Sequence, residues 1–435
     1  MRRHDREILA LALPAFGALV AEPLFLMADS AMIGHLGTAQ LAGLGVAAAL
    51  LTTVVNVFVF LAYATTAAVA RRLGADDLPG ALRQGVDGIW LALLLGAALV
   101  AVTIPAAPAL AESFGASANA APHAITYLRI SALGIPAMLM VLAATGVLRG
   151  LQDTRTPLYV AIAGFAVNAA LNAVFIYGFG WGVAGSAWGT VLAQFAMAAA
   201  YLRVVVRGTL RHGVSLRPTT AGVRASARAG VPLLVRTLSL RAVLLVATAV
   251  VARMGDAEMA AHQLTLTVWT LLAFALDAIA IAGQAIIGRY LGAEDAAGAR
   301  AACRRMVFWG VASGVLLGLL TAATSPLLLR LFTGDESVRE TLLPLLLVVA
   351  VTQPLAGAVF VLDGVLMGAG DGPYLAWAML LTLAVFVPVA LLTPDRGGVT
   401  ALWWAVAGLM MATRLVTLGL RVRTGRWLVT GAVRA

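Results

Sequence analysis

Residues 71–77 read Arg71-Arg72-Leu73-Gly74-Ala75-Asp76-Asp77, and residues 289–295 read Arg289-Tyr290-Leu291-Gly292-Ala293-Glu294-Asp295. A shift of 218 positions superposes them. The same shift pairs Pro14 with Pro232, Gly37 with Gly255, Pro108 with Pro326, Pro136 with Pro354, Gly146 with Gly364 and Asp153 with Asp371. The offset then falls to 216 and pairs Pro157 with Pro373 and Trp188 with Trp404. Coincidences of Ala or Gly carry no weight in a chain so rich in both. One register that persists through loops and prolines marks two copies of one structural unit.

The sequence between these markers is apolar. Of the 435 residues, 61% are hydrophobic and 11% charged, against about a quarter charged in soluble domains, so most of the surface must face lipid. A bilayer core is crossed by about 20 apolar residues in a helix. Spans are predicted near 8–34, 41–70, 86–109, 124–148, 158–179, 183–206, 230–253, 259–287, 305–331, 341–367, 374–393 and 398–420. The expected fold is therefore an all-α integral membrane protein of about twelve transmembrane helices. Each repeat holds six helices, an even number, so both copies start on the same side of the membrane. The repeats are parallel lobes around a central cavity. The expected divisions are 1–206, a linker at 207–229 and 230–435.

The net charge of +10 would suggest nucleic acid in a soluble protein, but all 30 basic residues are Arg and they cluster in the short loops. Grouped by predicted loop, 23 fall on one side, including Arg2, Arg71, Arg149, Arg207, Arg289, Arg414 and Arg421. Only Arg253, Arg330, Arg339 and Arg396 fall on the other. This asymmetry predicts that both termini are cytoplasmic. Without Lys there is no Walker A loop and no Schiff-base lysine. Cys303 is the only cysteine, so no internal disulfide can form. The five His show no metal-ligand spacing. No metal, cofactor, enzymatic centre or nucleic-acid partner is expected. The expected partners are a small organic compound and the lipid bilayer, with the chain a monomer.

Ionisable groups inside spans are costly, and each is a functional candidate. Asp29 is the sharpest. It lies well inside span 1, with Glu22 on the same face, and Pro14 and Pro23 can bend that helix. Burial disfavours a carboxylate relative to its neutral acid, which makes Asp29 a proton carrier. Its repeat mate is Ala247, so the charge belongs to one lobe. Asn168 and Asn172 stand one turn apart in span 5, and Thr190 follows in span 6. In the second lobe Arg236 and Arg241 are expected to pair with Asp277 and Asp363. Glu22, Phe25, Asn56, Gln284 and Gln353 are candidate residues of a substrate cavity. Asp76-Asp77 and Glu294-Asp295 are expected to be solvated and to pair with Arg71 and Arg289, and Asp87 to be solvated at a helix end.

These residues resemble multidrug and toxic compound extrusion (MATE) transporters, in the DinF-like branch. The resemblance is carried by Leu13-Pro14 with Ala28-Asp29-Ser30-Ala31-Met32-Ile33-Gly34-His35-Leu36-Gly37. It is carried also by Ala70-Arg71-Arg72-Leu73-Gly74-Ala75 and by Gly146-Val147-Leu148-Arg149-Gly150-Leu151-Gln152-Asp153-Thr154. It implies an antiporter of a bacterial inner membrane that exports organic, cationic compounds against inward H⁺ or Na⁺. The span-1 aspartate would be the coupling site and the proline fifteen residues earlier its hinge, matched by Asp29 and Pro14. Asn168 and Thr190 match the other members of that site. Asn172 stands where relatives often carry Asp, which favours H⁺ over Na⁺. Phe25 stands where some carry Tyr, which removes a hydroxyl from the site. Two alternatives stay open: a lipid-linked oligosaccharide flippase, whose phosphates buried arginines would suit, and, more remotely, a membrane-embedded transferase.

Overall fold

The computed structural model describes the backbone of residues 3–34 and 36–433, with the side chains of residues 3, 22–31 and 34 outside the description. The described chain is helical throughout. Its elements are α1 (Arg3–Gly34), α2 (Thr38–Phe58), α3 (Phe60–Gly74), α4 (Leu78–Ser113), α5 (Ala121–Ala132), α6 (Ile135–Gly150), α7 (Arg155–Ala173), α8 (Gly182–Arg211), α9 (Thr220–Val251), α10 (Asp256–Gly292), α11 (Ala296–Phe332), α12 (Glu336–Gly368), α13 (Gly372–Leu392), α14 (Gly398–Trp403) and α15 (Met411–Arg423). Among the described residues ten stretches are long and apolar enough to cross a membrane. The pair α5 and α6, bent by 52°, makes an eleventh. With α1, these coincide with the predicted spans. The second span is α2 with α3. The fifth is α7 with a π-helical turn at Val174–Gly178, and the twelfth runs through a π-helical stretch at Trp404–Met410.

The repeated loop motif has a local explanation. After α3 the chain turns through Asp76 at φ 57°, and after α10 through Glu294 at φ 59°. The next residue caps the following helix. Asp77 accepts from the Gly80 amide at 2.8 Å, and Asp295 from the Gly298 amide at 2.7 Å, which satisfies an otherwise orphaned helix donor. The expected partners of this motif need correction. Arg72 pairs with Asp77, and Arg289 pairs with Glu7 of α1 rather than with its own loop. The paired glycines Gly37 and Gly255 stand at φ 145° and 158°, before α2 and α10, in a region that only glycine enters without strain.

The helices group into two compact units, residues 17–230 (the N-lobe) and residues 1–16 with 231–435 (the C-lobe). These bounds differ from the expected 1–206, 207–229 and 230–435. The long linker shrinks to the turn between α8 and α9, because helix continues to Arg211 and resumes at Thr220. Each lobe is also completed by the first turns of a helix whose remainder belongs to the other. In the C-lobe, buried Asp5 of α1 accepts from Arg305 Nη2 at 3.0 Å and from Trp309 Nε1 at 2.9 Å. In the N-lobe, Asp87 accepts from the Thr219 amide at 2.9 Å and its hydroxyl at 3.1 Å, just before α9. Asp87 is therefore buried rather than solvated. The unit boundaries fall within three residues of the repeat-related Pro14 and Pro232.

In the C-lobe α12 is the central helix and packs on both α10 and α11. Its residues from Ala356 to Gly368 are buried almost without interruption, as an element apolar all round requires. Close approach depends on glycine. Gly310, Gly314 and Gly318 form one stripe of α11, and a Cβ on them would meet the carbonyls of Gly357, Gln353 and Ala350 at 2.5, 2.4 and 2.3 Å. Lipid supplies no hydrophobic drive between helices, so this backbone-to-backbone packing holds the pair. A Cβ on Gly357 would sit 2.0 Å from the Gly310 carbonyl oxygen. Gly357→Ala should destabilise the C-lobe by about 1–3 kcal/mol through overpacking. A melt of the purified protein in detergent should show a midpoint several degrees below wild type.

Candidate functional site

In the N-lobe three of the predicted residues come together. Asn168 and Asn172 lie one turn apart on α7, and Thr190 sits on the neighbouring α8. Asn172 donates to Asn168 Oδ1 at 3.1 Å, and Asn168 donates to Thr190 Oγ1 at 3.1 Å. All three are buried, Asn172 completely. Space for this chain is made by Gly189, where a Cβ would stand 2.0 Å from Asn172 Oδ1.

Directly after Asn172 the helix widens into the π-helical turn Val174–Gly178. Such turns insert a residue, re-aim the side chains around them and recur at functional sites. Here the turn presents Tyr177, whose hydroxyl donates to the Met32 carbonyl near the end of α1 at 2.9 Å. Ile33, Tyr127, Ile176, Val183 and Ala187 form one buried cluster at the same place. The end of α1 is thus fixed beside α7 and α8. Asp29 lies on α1 one turn before Ile33. The side chains of Asp29, Glu22 and Phe25 fall outside the described residues. Pro14 lies within α1, where its missing N–H removes a helix hydrogen bond.

Beside Thr190 opens a cavity of about 40 Å³, lined on its polar side by Ser131 and Gln194. Buried Ser131 Oγ and Gln194 Oε1 face it without a protein hydrogen-bond partner. Its size suits a water molecule. Neither residue stood out in the sequence, because an uncharged Ser and Gln inside separate spans carry no signal until the helices pack. Asn56 donates back to the Thr52 carbonyl of its own helix at 2.8 Å. Gln284 and Gln353 lie in the C-lobe, fully enclosed in α10 and α12.

The C-lobe holds the second polar cluster. Arg236 of α9 donates to both oxygens of Asp363 on α12, as expected. A third member is Arg414 of α15, whose Nη2 lies 3.1 Å from Asp363 Oδ2. Its grouping with the loop arginines needs correction, since it is 3% exposed. The signal was present: residue 414 falls six positions inside the predicted end of span 12. The π-helical stretch Trp404–Met410 ends just before it. Asp277 and Arg236 act electrostatically on Arg414, so these groups form one charged assembly.

The MatE family model matches residues 14–174 and 232–392, two stretches separated by the 218-residue repeat offset. The chain belongs to the MatE family. Its members are transporters, not enzymes, and this chain is a MATE multidrug and toxic compound efflux transporter with multiple membrane spans. It is 32% identical over 438 residues to Protein DETOXIFICATION 44, chloroplastic, of Arabidopsis thaliana, covering 97% of this chain and 83% of that one. It is 28% identical to DNA damage-inducible protein F of Escherichia coli, covering 97% and 94%. Among solved structures, a MATE protein in the bent conformation superposes with a TM-score of 0.90 at 21% identity, covering 98% of this chain and 96% of that one. At that identity the likeness concerns the fold alone.

Gly189→Ala should push Asn172 out of its bond to Asn168. Transport in proteoliposomes is expected to fall by about tenfold or more, in keeping with an overpacking cost of about 1–3 kcal/mol. Gly45→Ala, where an added Cβ meets nothing within 4 Å, should leave transport unchanged.

Proposed function

We propose that this MATE protein is a secondary antiporter that exports amphipathic organic compounds in exchange for entering H⁺, with Asp29 as the group that takes up the proton. The observation that carries this reading is the buried chain Asn172–Asn168–Thr190, held in one core with the end of α1. Two amides and a hydroxyl solvate a carboxyl group in either protonation state but bring no charge of their own. Protonation of Asp29 removes the acidic charge that the resemblance puts with them. Asn172, standing where relatives often carry Asp, leaves that site one carboxylate fewer for a metal cation, which favours H⁺ over Na⁺ as the coupling ion. On this reading protonation lets α1 bend at Pro14 and weakens cargo binding, and deprotonation on the other face resets the site.

Orientation belongs to the same proposal. With buried Arg414 set aside, 22 of 30 arginines still fall on one side, which supports cytoplasmic termini, and the resemblance points to a bacterial plasma membrane. The cargo is a small molecule, and the chain acts as a monomer. The resemblance points to a cationic cargo. A lipid-linked oligosaccharide flippase is the second reading, favoured by the arginines of the C-lobe.

Proteoliposomes offered ethidium or pyrenebutyrate, with an imposed pH gradient or an imposed Na⁺ gradient, test the coupling. Transport of whichever compound is carried should follow the pH gradient, persist without Na⁺ and vanish in Asp29→Asn. An Asp29→Asn protein with undiminished pH-driven transport would overturn the assignment. Transport of neither compound, with binding of a polyprenyl pyrophosphate, would favour the flippase.

A further inference from the structure

Between Asp153 and Asp256 the chain has ten arginines and not one Asp or Glu. Six of them, Arg203, Arg207, Arg211, Arg217, Arg224 and Arg228, gather where α8 ends and α9 begins, and all six are exposed. Elsewhere Arg72, Arg83, Arg289, Arg305 and Arg421 each hold a carboxylate. Among the described residues none of the six side chains has a hydrogen-bond or ion-pair partner.

The surface that carries them is held in place. Arg203, Arg207 and Arg211 follow one another by single turns of α8, and Arg224 and Arg228 do so on α9. Like charges at that spacing repel and weaken a helix. The connection between the two helices is fastened to α4. Arg83 donates to the carbonyls of Ser215 at 2.9 Å and Arg217 at 2.6 Å, and Trp90 Nε1 donates to the carbonyl of Leu216 at 2.9 Å. Gln84 donates to the Ser226 hydroxyl at 2.9 Å. The two rows of arginines are thereby kept together instead of drifting apart. The repeat does not require the row on α8: at an offset of 216 its mates are Gly419, Arg423 and buried Trp427.

This face also meets the acyl chains. Val204 and Leu210 are 42% and 59% exposed. At about 100° per residue they share an arc of about 120° with Arg203, Arg207 and Arg211. An arginine stem lies along such apolar surface and lifts its guanidinium toward the head groups. We propose that the corner between α8 and α9 is a binding site for anionic phospholipid, with the arginines taking the phosphodiester head group. Guanidinium forks match phosphate oxygens through paired hydrogen bonds, and basic clusters beside a span attract acidic lipid. The apolar residues among the arginines favour a lipid over a soluble anion. Binding requires only that α8 and α9 cross a membrane, and it is independent of Asp29, the coupling ion and the cargo.

The test is equilibrium binding of fluorescent phosphatidylglycerol and phosphatidylcholine, with identical acyl chains, to the purified full chain in detergent. Phosphatidylglycerol should bind at least about tenfold more tightly, and the preference should shrink as salt is raised. Combining Arg203→Gln, Arg207→Gln and Arg211→Gln should remove the preference, whereas the same three positions changed to Lys should keep most of it. Combining Arg253→Gln, Arg330→Gln and Arg396→Gln, an equal loss of charge at exposed positions elsewhere, should leave it unchanged. Should the first triple variant fail to elute as a monodisperse species, Arg224→Gln with Arg228→Gln decides, and should weaken phosphatidylglycerol by about threefold or more. Equal binding of the two lipids, or a preference untouched by these substitutions, would overturn the proposal. So would a Lys variant as defective as the Gln variant, which would make the arginines structural. Displacement of phosphatidylglycerol by glycerol phosphate at equal concentration would assign the site to a soluble anion, and displacement by polyglutamate alone to an acidic protein. Either result would overturn the lipid assignment.

Discussion

Hydrocarbon offers no hydrogen bonds, and everything distinctive in this protein answers that fact. Backbone groups satisfy themselves in helices, so the chain has no other way to cross. Helices then have no hydrophobic reason to associate, and the glycine stripe of α11 against α12 supplies contact in its place. Polar side chains that remain inside must be answered by one another. The two asparagines and a threonine of the N-lobe do so without net charge. The arginines and aspartates of the C-lobe do so by ion pairing, at an expense that a purely apolar interface would avoid.

Two lobes built to one plan therefore differ where it matters for chemistry. The repeat preserves turns, caps and prolines, including the left-handed residues Asp76 and Glu294 and the caps Asp77 and Asp295. It does not preserve the polar groups inside the spans: Asp29 corresponds to Ala247 in the repeat, and Arg236 to Ala18. Features common to both lobes hold the scaffold, and features peculiar to one are where the chemistry of the two lobes differs.

Much of this was legible in the sequence. Repeat register, span count and the Asn168–Asn172 pair follow from period and position alone, because i and i+4 on a helix share a face, whereas Thr190 joined them through the resemblance. The Arg236–Asp363 pair follows from the cost of burying either charge unpaired. The rest needed three dimensions. Ion pairs across hundreds of residues, such as Glu7 with Arg289, are invisible when the nearest carboxylate in sequence looks sufficient. Arg414 was hidden by its basic neighbours near the end of the chain. The π-helical turns leave no mark in composition. The cavity beside Thr190 exists only because Ser131 and Gln194, distant in sequence, meet there.

The exchange of helix ends between the lobes has a consequence for how the chain is made. Asp5 leaves the ribosome 300 residues ahead of its partner Arg305. At typical rates of synthesis that is an interval of roughly 15–60 s, during which the start of α1 has no lobe to join. The N-lobe likewise stays unfinished until the opening turns of α9 emerge. Neither half is thus a self-sufficient product of translation. The duplication that gave two copies also made each copy the other's final piece, as in a domain-swapped dimer fused into one chain.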